Sequence, residues 1–336
     1  MMNIRKRANV AALIACFALI VAFALALMAG RYNISPRAFF EAIGGDGGRS
    51  IERSIILNLR LPRTLVAVMV GIALSLSGLL YQETFQNMLI SPDLLGVSSG
   101  AGVGAALAIV LGLSAALVEA FAFMFGIGTV LLTVAVSQTF RNRSSMTLVL
   151  AGIIVGGLAG AILSFVKYMA DAETTLASIT FWLMGSFEHT TMKDVWMLLP
   201  IVAVCTVISM ASRWRVNIVA LGREEAQAKG INYVFYRAMI IVMATLLTAG
   251  SVAVAGTIGW IGLVVPHIVR LIVGRNTKQT IPLAIVFGAV FMVVADILSR
   301  TFTAAEIPLS AVTGFFGTII FVAILFAKRR SAVIHD

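Results

Sequence analysis

The sequence contains little charge and few of the side chains that perform metal or redox chemistry. Only 12% of the 336 residues are Asp, Glu, Lys or Arg, and the chain has 3 histidines and 2 cysteines. Cys16 and Cys205 stand alone in separate apolar runs, with no second cysteine or histidine at metal-ligand spacing. These scarcities exclude a disulfide framework and a cysteine-based metal site. Both cysteines are therefore interpreted as small buried hydrophobic residues.

Nucleotide chemistry and proton relays lack their usual residues as well. The pattern G-x-x-x-x-G-K-[ST] occurs nowhere, so any ATP has to be bound by a partner. Asp296, one helical turn before Arg300, is the nearest candidate for an ionisable group inside an apolar run, which disfavours a secondary transporter or an intramembrane enzyme. His267 has no second ligand nearby in sequence and is interpreted as a capping or packing group. We predict no catalytic residue, no metal site, no bound cofactor and no nucleic-acid partner.

Hydrophobic residues, by contrast, make up 60% of the chain and form repeated long runs. Runs of about 20 residues match the hydrocarbon core of a bilayer, which an α-helix crosses with its backbone polar groups paired. The predicted fold class is an all-α polytopic membrane protein with about ten transmembrane helices, in a single transmembrane domain over residues 1–336. The second and seventh spans enter from opposite sides, as two inverted-repeat-like halves require. The predicted spans are centred near residues 20, 73, 104, 128, 157, 203, 245, 265, 289 and 318.

The distribution of positive charge orients these spans. With the N terminus inside, 16 of the 25 Lys and Arg residues are cytoplasmic. This predicts a multi-pass protein of the inner or plasma membrane with both termini in the cytoplasm. The first run, Val10 to Gly30 after Arg5-Lys6-Arg7, fits a cleaved signal peptide or a signal anchor, and its length favours a retained helix.

The first outer segment, residues 31–63, breaks the charge trend. One interpretation is that a long loop tolerates translocated charge, which Glu41, Asp46 and Glu52 partly neutralise. The other is that the arginines directly before the second span have a specific role. Charge alone does not choose between them. The segment carries six of the nine outer basic residues: Arg31, Arg37, Arg49, Arg53, Arg60 and Arg63.

The longest cytoplasmic connection, residues 213–237, contains a short helical pattern. Leu221-Gly222-Arg223-Glu224-Glu225-Ala226 leads to Gly230 and Ile231, and Gly230 is suited to the left-handed cap that closes a helix. A short helix of mixed charge at the membrane surface is either a docking element for another subunit or an ordinary surface helix.

Small residues form stripes on two spans. Helix packing is the usual reason for such spacing, and a passage for a bulky solute is the alternative. The stripes are Gly152, Gly156, Gly160 and Ser164 on the fifth span, and Ser310, Gly314 and Gly317 on the tenth.

Nine motifs are distributed over nearly the whole chain. They are Arg60-Leu61-Pro62-Arg63; Gly78, Gln82, Asn87, Leu89, Pro92, Leu95 and Gly96; Ser99-Gly100-Ala101-Gly102; Leu150-Ala151-Gly152; Phe181-Trp182-Leu183-Met184-Gly185-Ser186; Leu221-Gly222 with Ala226 and Gly230; Gly259-Trp260-Ile261-Gly262-Leu263-Val264-Val265-Pro266-His267; Ala295-Asp296 with Arg300; and Glu306-Ile307-Pro308. In this combination, which is specific, the chain resembles the permeases of the iron-siderophore, haem and cobalamin ABC importers.

The resemblance implies a type II ABC importer permease fold and a set of partners. These are a second permease subunit, identical or paralogous, two ATP-binding-cassette ATPase subunits that use ATP and Mg, and an extracytoplasmic solute-binding protein, assembled on the lipid bilayer. The chain itself would not be an enzyme. Its solute would be an iron(III)-siderophore or a related metal chelate, which residues 181–186 favour, with cobalamin or haem as alternatives.

The resemblance also implies roles for particular residues. Arg60, Arg63 and Arg300 would pair with acidic side chains of the binding protein, since guanidinium groups bind carboxylates bidentately. Residues 221–232 would couple to the ATPase. The inner gate and the pathway would involve Asn87, Leu89, Ser145, Met146, Gly152, Gly156 and Gly160.

The sequence departs from the family pattern at three positions where proline is common: Met88, Thr257 and Ile319. Local helix kinks are therefore expected to differ from those of the relatives. Met88 lies beside the expected gate.

Overall fold

The computed structural model is an α-helical bundle that describes residues 4–30, 32, 34–44, 51–140, 145–303 and 305–333. Arg31, Asp46, Arg49 and residues 141–143, which entered the charge analysis, lie outside this part of the chain. No strand occurs in the described residues. The helices are α1 (Ile4–Met28), α2 (Pro36–Gly44), α3 (Ile51–Ser54), α4 (Leu61–Phe85), α5 (Val97–Val110), α6 (Ala115–Thr139), α7 (Ser145–Met169), α8 (Thr175–Met184), α9 (Met192–Val219), α10 (Arg223–Ala228), α11 (Tyr233–Ala255), α12 (Ile261–Val273), α13 (Thr277–Thr301) and α14 (Leu309–Val333).

Each of the ten predicted span centres falls inside a helix, and the all-α fold class is confirmed. Seven of the described helices are long and apolar enough to cross a membrane: α1, the continuous helix that ends in α4, α6, α7, α9, α11 and α13. The other three predicted span centres fall in α5, α12 and α14, whose described apolar stretches are shorter. The segments expected to be outer loops contain the short helices α2 and α8. With 9 and 10 residues, they are much shorter than the run of about 20 apolar residues that predicts a membrane span.

The two ends of the bundle carry different features. We call the end with the described residues of segments 29–60 and 302–308 the arginine face, and the opposite end, with residues 86–96 and 219–232, the α10 face. A π-helical stretch, Ile55–Arg60, joins α3 to α4 at the arginine face. A 3-10 turn, Pro92–Leu95, precedes α5 at the α10 face.

Helix α4 is the central helix of the bundle and packs against α13, α11, α12 and α9. Glycines permit the closest approaches. A Cβ atom added to Gly71 would overlap the Gly288 carbonyl oxygen, so α4 and α13 touch backbone to backbone. Between α4 and α11, the Ser77 hydroxyl lies 2.6 Å from Oγ1 of Thr248 and donates to the Ala244 carbonyl at 2.8 Å.

Helices α4 and α11 run in opposite directions. Ser77 faces Thr248, and one turn further along α4 the Tyr81 hydroxyl lies 2.8 Å from Oγ1 of Thr245. Residue numbers rise along one helix as they fall along the other. The opposite entry predicted for the second and seventh spans is therefore present.

Two helices are too short to span a bilayer. With 10 and 13 residues, α8 and α12 are roughly 15–20 Å long, against a hydrocarbon core of about 30 Å. Gly262, near the start of α12, packs against Gly78 in the last third of α4, so α12 begins inside the bundle. Non-helical backbone at that depth needs protein partners or a cavity.

The chain supplies such partners where its non-helical segments meet. The amide of Ser186 donates to the Ala255 carbonyl, and the amide of Leu309 donates to the Gly185 carbonyl, both at 3.0 Å. These bonds join the end of α8, the end of α11 and the start of α14 at one place.

The local structure differs among the three positions where relatives commonly have proline. Thr257 donates its hydroxyl to the Leu183 carbonyl and so ties the segment after α11 to the end of α8. Helix α14 continues through Ile319 without a break. Met88 lies half-buried in the turn after α4.

Candidate functional site

The three arginines expected to receive a binding protein are buried at the arginine face. Arg60, Arg63 and Arg300 are 5%, 8% and 5% exposed. Arg63 lies in the first turn of α4 and Arg300 in the last turn of α13, which packs alongside it. The fold therefore brings together arginines that are far apart in sequence, but it turns them inward.

Arg63 is held by two carboxylates of its own chain. Its Nε donates to Oδ1 of Asp296 at 2.7 Å, and its Nη1 and Nη2 donate to the two carboxylate oxygens of Glu306 at 2.7 and 2.9 Å. Oδ2 of the fully buried Asp296 lies 3.2 Å from Nε of Arg300, as an ion pair without hydrogen-bond geometry. In this structure, Asp296 and Glu306 occupy the places expected for a partner's acidic side chains.

Arg60 and Arg300 cap the C-terminal end of α1. The last carbonyls of a helix lack intrahelical donors and carry the negative end of the helix dipole, so a buried guanidinium satisfies both needs. Positive charge at this end of the bundle thus has an internal cause that neither sequence interpretation included. The bonds run from Arg300 to the carbonyls of Ala26 (2.6 Å) and Ala29 (3.0 Å), and from Arg60 to those of Leu27 (3.0 Å), Met28 (2.6 Å) and Tyr32.

A cavity of about 750 Å³ lies beside this cluster at the arginine face. Two motifs that are far apart in the sequence line it, since Phe181, Trp182 and Met184–Ser186 face Glu306–Pro308 across it. Glu119, Glu188 and Asp194 add carboxylates to its wall. Glu306 therefore belongs to both features, because it lines the cavity and binds Arg63.

Helix α10 projects from the opposite face in the conformation that the sequence predicts. Gly230 has a φ of +71° and is the left-handed residue that closes the helix, as expected. The amide of Ile231 donates to the Ala226 carbonyl, and the amide of Gly230 donates to the Gln227 carbonyl, both at 2.9 Å. Ala226 and Ile231 are buried, whereas Arg223, Glu224 and Glu225 are exposed with Leu221. The helix is thus anchored by two apolar residues and presents charge outward.

The residues expected to form the gate also lie at the α10 face. Asn87 and Leu89 are exposed in the turn after α4, where Oδ1 of Asn87 accepts from the Leu89 amide at 2.9 Å. Met146 is exposed in the first turn of α7. Ser145 begins that helix, and its side chain lies outside the described part of the chain. The gate role of these residues stays a prediction.

The glycine stripe on α7 is divided between packing and open surface. A Cβ atom added to Gly152 would lie 3.0 Å from Cα of Leu95 and would overlap the Leu94 carbonyl oxygen. One added to Gly156 would make ordinary contact at 3.6 Å, and one added to Gly160 would meet nothing within 4 Å. The packing interpretation is confirmed for Gly152. A pathway role for Gly156 and Gly160 stays a prediction.

The stripe on α14 accommodates an aromatic side chain. A Cβ atom added to Gly317 would lie 2.7 Å from Cβ of Trp260, and one added to Gly314 would lie 3.7 Å from the indole nitrogen. Trp260 itself has a positive φ of 71° at the start of α12. His267 packs its ring edge-on against Phe321 at 5.5 Å, in keeping with the packing interpretation.

A second buried ion pair, near the α10 face, was not anticipated from the sequence. Arg270 of α12 donates through Nη2 to Glu83 at 2.8 Å and through Nη1 to the Gln82 side chain. Nε2 of Gln82 in turn donates to the carbonyls of Ile90 and Gly262, at 3.1 and 3.2 Å. The cluster fixes the turn after α4 to α12. Opposite charges near the same membrane face were the only sequence signal for it.

Comparisons with known proteins agree on one family. The model of the FecCD transport family matches residues 18–327. The chain is 34% identical over 319 residues to the molybdate import system permease protein MolB of Haemophilus influenzae, covering 94% of this chain and 95% of that protein. It is 35% identical over 278 residues to a probable iron chelatin transport system permease of Helicobacter pylori, covering 82% and 83%.

Two further proteins are similar over nearly their whole length. The vitamin B12 import system permease protein BtuC of Citrobacter koseri is 33% identical over 314 residues, covering 93% of this chain and 92% of that protein. A solved inward-facing structure, assigned to the metal-chelate type of ABC transporter, has a TM-score of 0.86 at 32% identity and covers 94% of this chain and 98% of that one.

Proposed function

Because this chain belongs to the FecCD transport family and is the permease of an ABC importer, we propose that it carries an iron(III)-siderophore or a related metal chelate into the cytoplasm. As a permease it is a multi-pass membrane protein and a transport component, not an enzyme. The iron chelatin permease and the metal-chelate type transporter among its relatives support this choice of solute.

Molybdate is the second candidate solute. The specific observation in its favour is the 34% identity to the molybdate permease, which extends over 319 residues and nearly the full length of both chains. Cobalamin and haem are further alternatives, the former supported by the 33% identity to the vitamin B12 permease.

The observation that carries the proposed coupling to ATP is the geometry of α10. A helix of six residues is too short to be stable alone, and here the buried Ala226 and Ile231 and the Gly230 closure hold it rigidly. Its exposed Arg223, Glu224 and Glu225 offer charge to a partner. We infer that this element and the adjoining Leu221 and Gly222 seat in the ATPase subunits of the importer.

For the arginine face we propose docking of the solute-binding protein, with an indirect role for the arginines. Arg60 and Arg300 hold the carbonyls of residues 26–29 and of Tyr32, and Arg63 holds the segment around Glu306. Glu306 lines the cavity that the solute would enter. The arginines thus shape the docking surface, and their own guanidinium groups are occupied within the chain.

In the proposed cycle, the binding protein delivers its solute to the cavity at the arginine face. ATP binding in the partner subunits moves α10, and the turn with Asn87 and Leu89 and the start of α7 with Ser145 and Met146 act as the inner gate. The second permease subunit, identical or paralogous, completes the pathway, which α7 borders near Gly156 and Gly160. Selectivity resides in the binding protein.

The test combines the chain with its cognate ATPase and solute-binding protein, reconstituted in liposomes. Uptake of a ferric hydroxamate siderophore is expected to require ATP and the binding protein, and to stop when the ATPase P-loop lysine is replaced. Uptake of molybdate or cyanocobalamin, with none of the siderophore, would refute the solute assignment and leave the importer assignment intact. Uptake by the chain alone would contradict coupling to an ATPase.

A further inference from the structure

The residue that ends α4 has a backbone conformation uncommon for its type. Gln86 has φ 52° and ψ 31°, in the left-handed region, where glycine or asparagine usually closes a helix. Among the described non-glycine residues only Trp260 shares a positive φ. Glycine would occupy this position without strain, so the glutamine side chain is a reason to look for a function.

The side chain of Gln86 reaches the base of α10. Its Nε2 donates to the Ala220 carbonyl at 3.1 Å, and Ala220 directly follows α9, two residues before Gly222, which directly precedes α10. The same nitrogen would lie 3.3 Å from a Cβ atom added to Gly222. The amide therefore contacts the connection that would move first if α10 were displaced.

The main chain of Gln86 begins the turn that carries the proposed gate residues. The Asn87 amide donates to the Gln82 carbonyl at 3.1 Å, and Oδ1 of Asn87 accepts from the Leu89 amide. The far end of the turn is held by the bond from Gln82 to the Ile90 carbonyl. The turn is short and internally bonded, so a pull on its first residue shifts Asn87 and Leu89 together.

We propose that Gln86 is a positioning residue that transmits displacement of α10 to the turn of Asn87 and Leu89. The inference rests on the proposed function, because it takes α10 as the ATPase contact and Leu89 as part of the gate. What it adds is a mechanical link between the two. The left-handed backbone of Gln86 directs its side-chain amide to Ala220, and Gln82 with Arg270 holds the other end of the turn in place.

The experiment measures movement at the gate and does not depend on the solute. Leu89→Cys is placed in a chain with Cys16→Ala and Cys205→Ala, and the complete importer is assembled in nanodiscs. The rate of labelling by a polar maleimide is compared without nucleotide and with ATP and vanadate. The same comparison is then made with Gln86→Gly added, which keeps the backbone conformation and removes the amide. Gln138→Ala, an exposed glutamine at the same face on α6, is the matched control.

The nucleotide-dependent change in labelling rate is expected to fall by about fivefold in Gln86→Gly, the factor corresponding to one net hydrogen bond. The control should keep the full change, and co-purification of the ATPase should be equal in all variants. An unaltered nucleotide response in Gln86→Gly would overturn the link alone. If the labelling rate of Leu89→Cys does not change with nucleotide in the importer that retains Gln86, the gate assignment is overturned and, with it, this inference.

Gly222→Ala approaches the same contact from the other side. The added methyl presses on Nε2 of Gln86, and φ of +113° already disfavours a side chain at this position. A reduced gate response is expected here too. A double variant with Gln86→Gly that loses no more of the response than Gln86→Gly alone would show that the two residues act through one contact, whereas additive losses would count against the link.

Discussion

Replacing Arg63 with glutamine separates a structural role of the arginine cluster from direct docking. The change removes three hydrogen bonds and leaves Asp296 and Glu306 without their shared cation. Removing one partner from a buried ion pair costs about 3–5 kcal/mol, because the remaining charge is desolvated without compensation. Arg300 lies 3.2 Å from Asp296 and compensates only part of this loss.

The chain contains a matched surface pair that serves as the control. Arg37 and Glu41 are joined at 2.8 Å, within the 2.7–2.9 Å range of the Arg63 cluster, but their side chains are 90% and 60% exposed. Such pairs contribute about 0.2–1 kcal/mol. Arg37→Gln should therefore leave the stability of the protein nearly unchanged. Because the bond distances are similar in the two places, a difference between the variants reflects the burial of the Arg63 cluster.

The assay is thermal unfolding of the detergent-solubilised importer, followed by size-exclusion chromatography of the heated sample. Arg63→Gln should lower the midpoint by about 6–20 °C and Arg37→Gln by no more than a few degrees, on the scale of about 2–4 °C per kcal/mol. Adding Glu306→Gln to Arg63→Gln should restore part of the loss by removing an unpaired carboxylate. Equal midpoints for the two single variants, together with lost affinity for the binding protein in Arg63→Gln, would refute the internal role.

Three further changes test other parts of the molecule. Gly152→Ala should destabilise the protein by about 1–3 kcal/mol because its methyl group overlaps the Leu94 carbonyl, whereas Gly160→Ala should not destabilise it. Equal unfolding midpoints for the two variants would refute the assignment of Gly152 to packing and Gly160 to open surface. Arg270→Gln leaves the buried Glu83 without its cation and removes a contact that holds the turn after α4. The unfolding midpoint should fall as it does in Arg63→Gln. Arg223→Gln, on the exposed side of α10, is the control and should leave the midpoint nearly unchanged. Gly230→Leu should strain the left-handed closure of α10 by about 1–2 kcal/mol and lower solute moved per ATP hydrolysed, with binding-protein affinity unchanged; normal coupling would argue against α10 as the ATPase contact.

The helices and α10 were predictable from the sequence because their causes are local. Apolar runs set the spans, and a glycine at residue 230 followed by Ile231 specifies a left-handed closure with an apolar contact. The short helices α2 and α8 were not predicted, because hydropathy taken over the length of a full span averages them with their polar neighbours.

The arginine cluster was not predictable in the same way, because its partners are distant in sequence. Arg60-Leu61-Pro62-Arg63 stood out by charge, but nothing local indicates that Arg60 meets the carbonyls at the end of α1 or that Arg63 meets Glu306. The bonds of Gln86 to Ala220 and of Arg270 to Gln82 have the same character. They depend on which helices become neighbours, which is decided by packing of the whole chain.

The arginine cluster also imposes an order on biogenesis. In the predicted orientation, Arg60 and Arg63 are translocated with the second span, yet Asp296 and Glu306 follow Arg63 by 233 and 243 residues. At about 5–20 residues per second, roughly 10–50 s of synthesis passes before those carboxylates leave the ribosome. During that interval the nascent chain holds Arg63 across the bilayer against the positive-inside tendency without its final counter-charges. The last helices to insert thus complete the charge balance of the first.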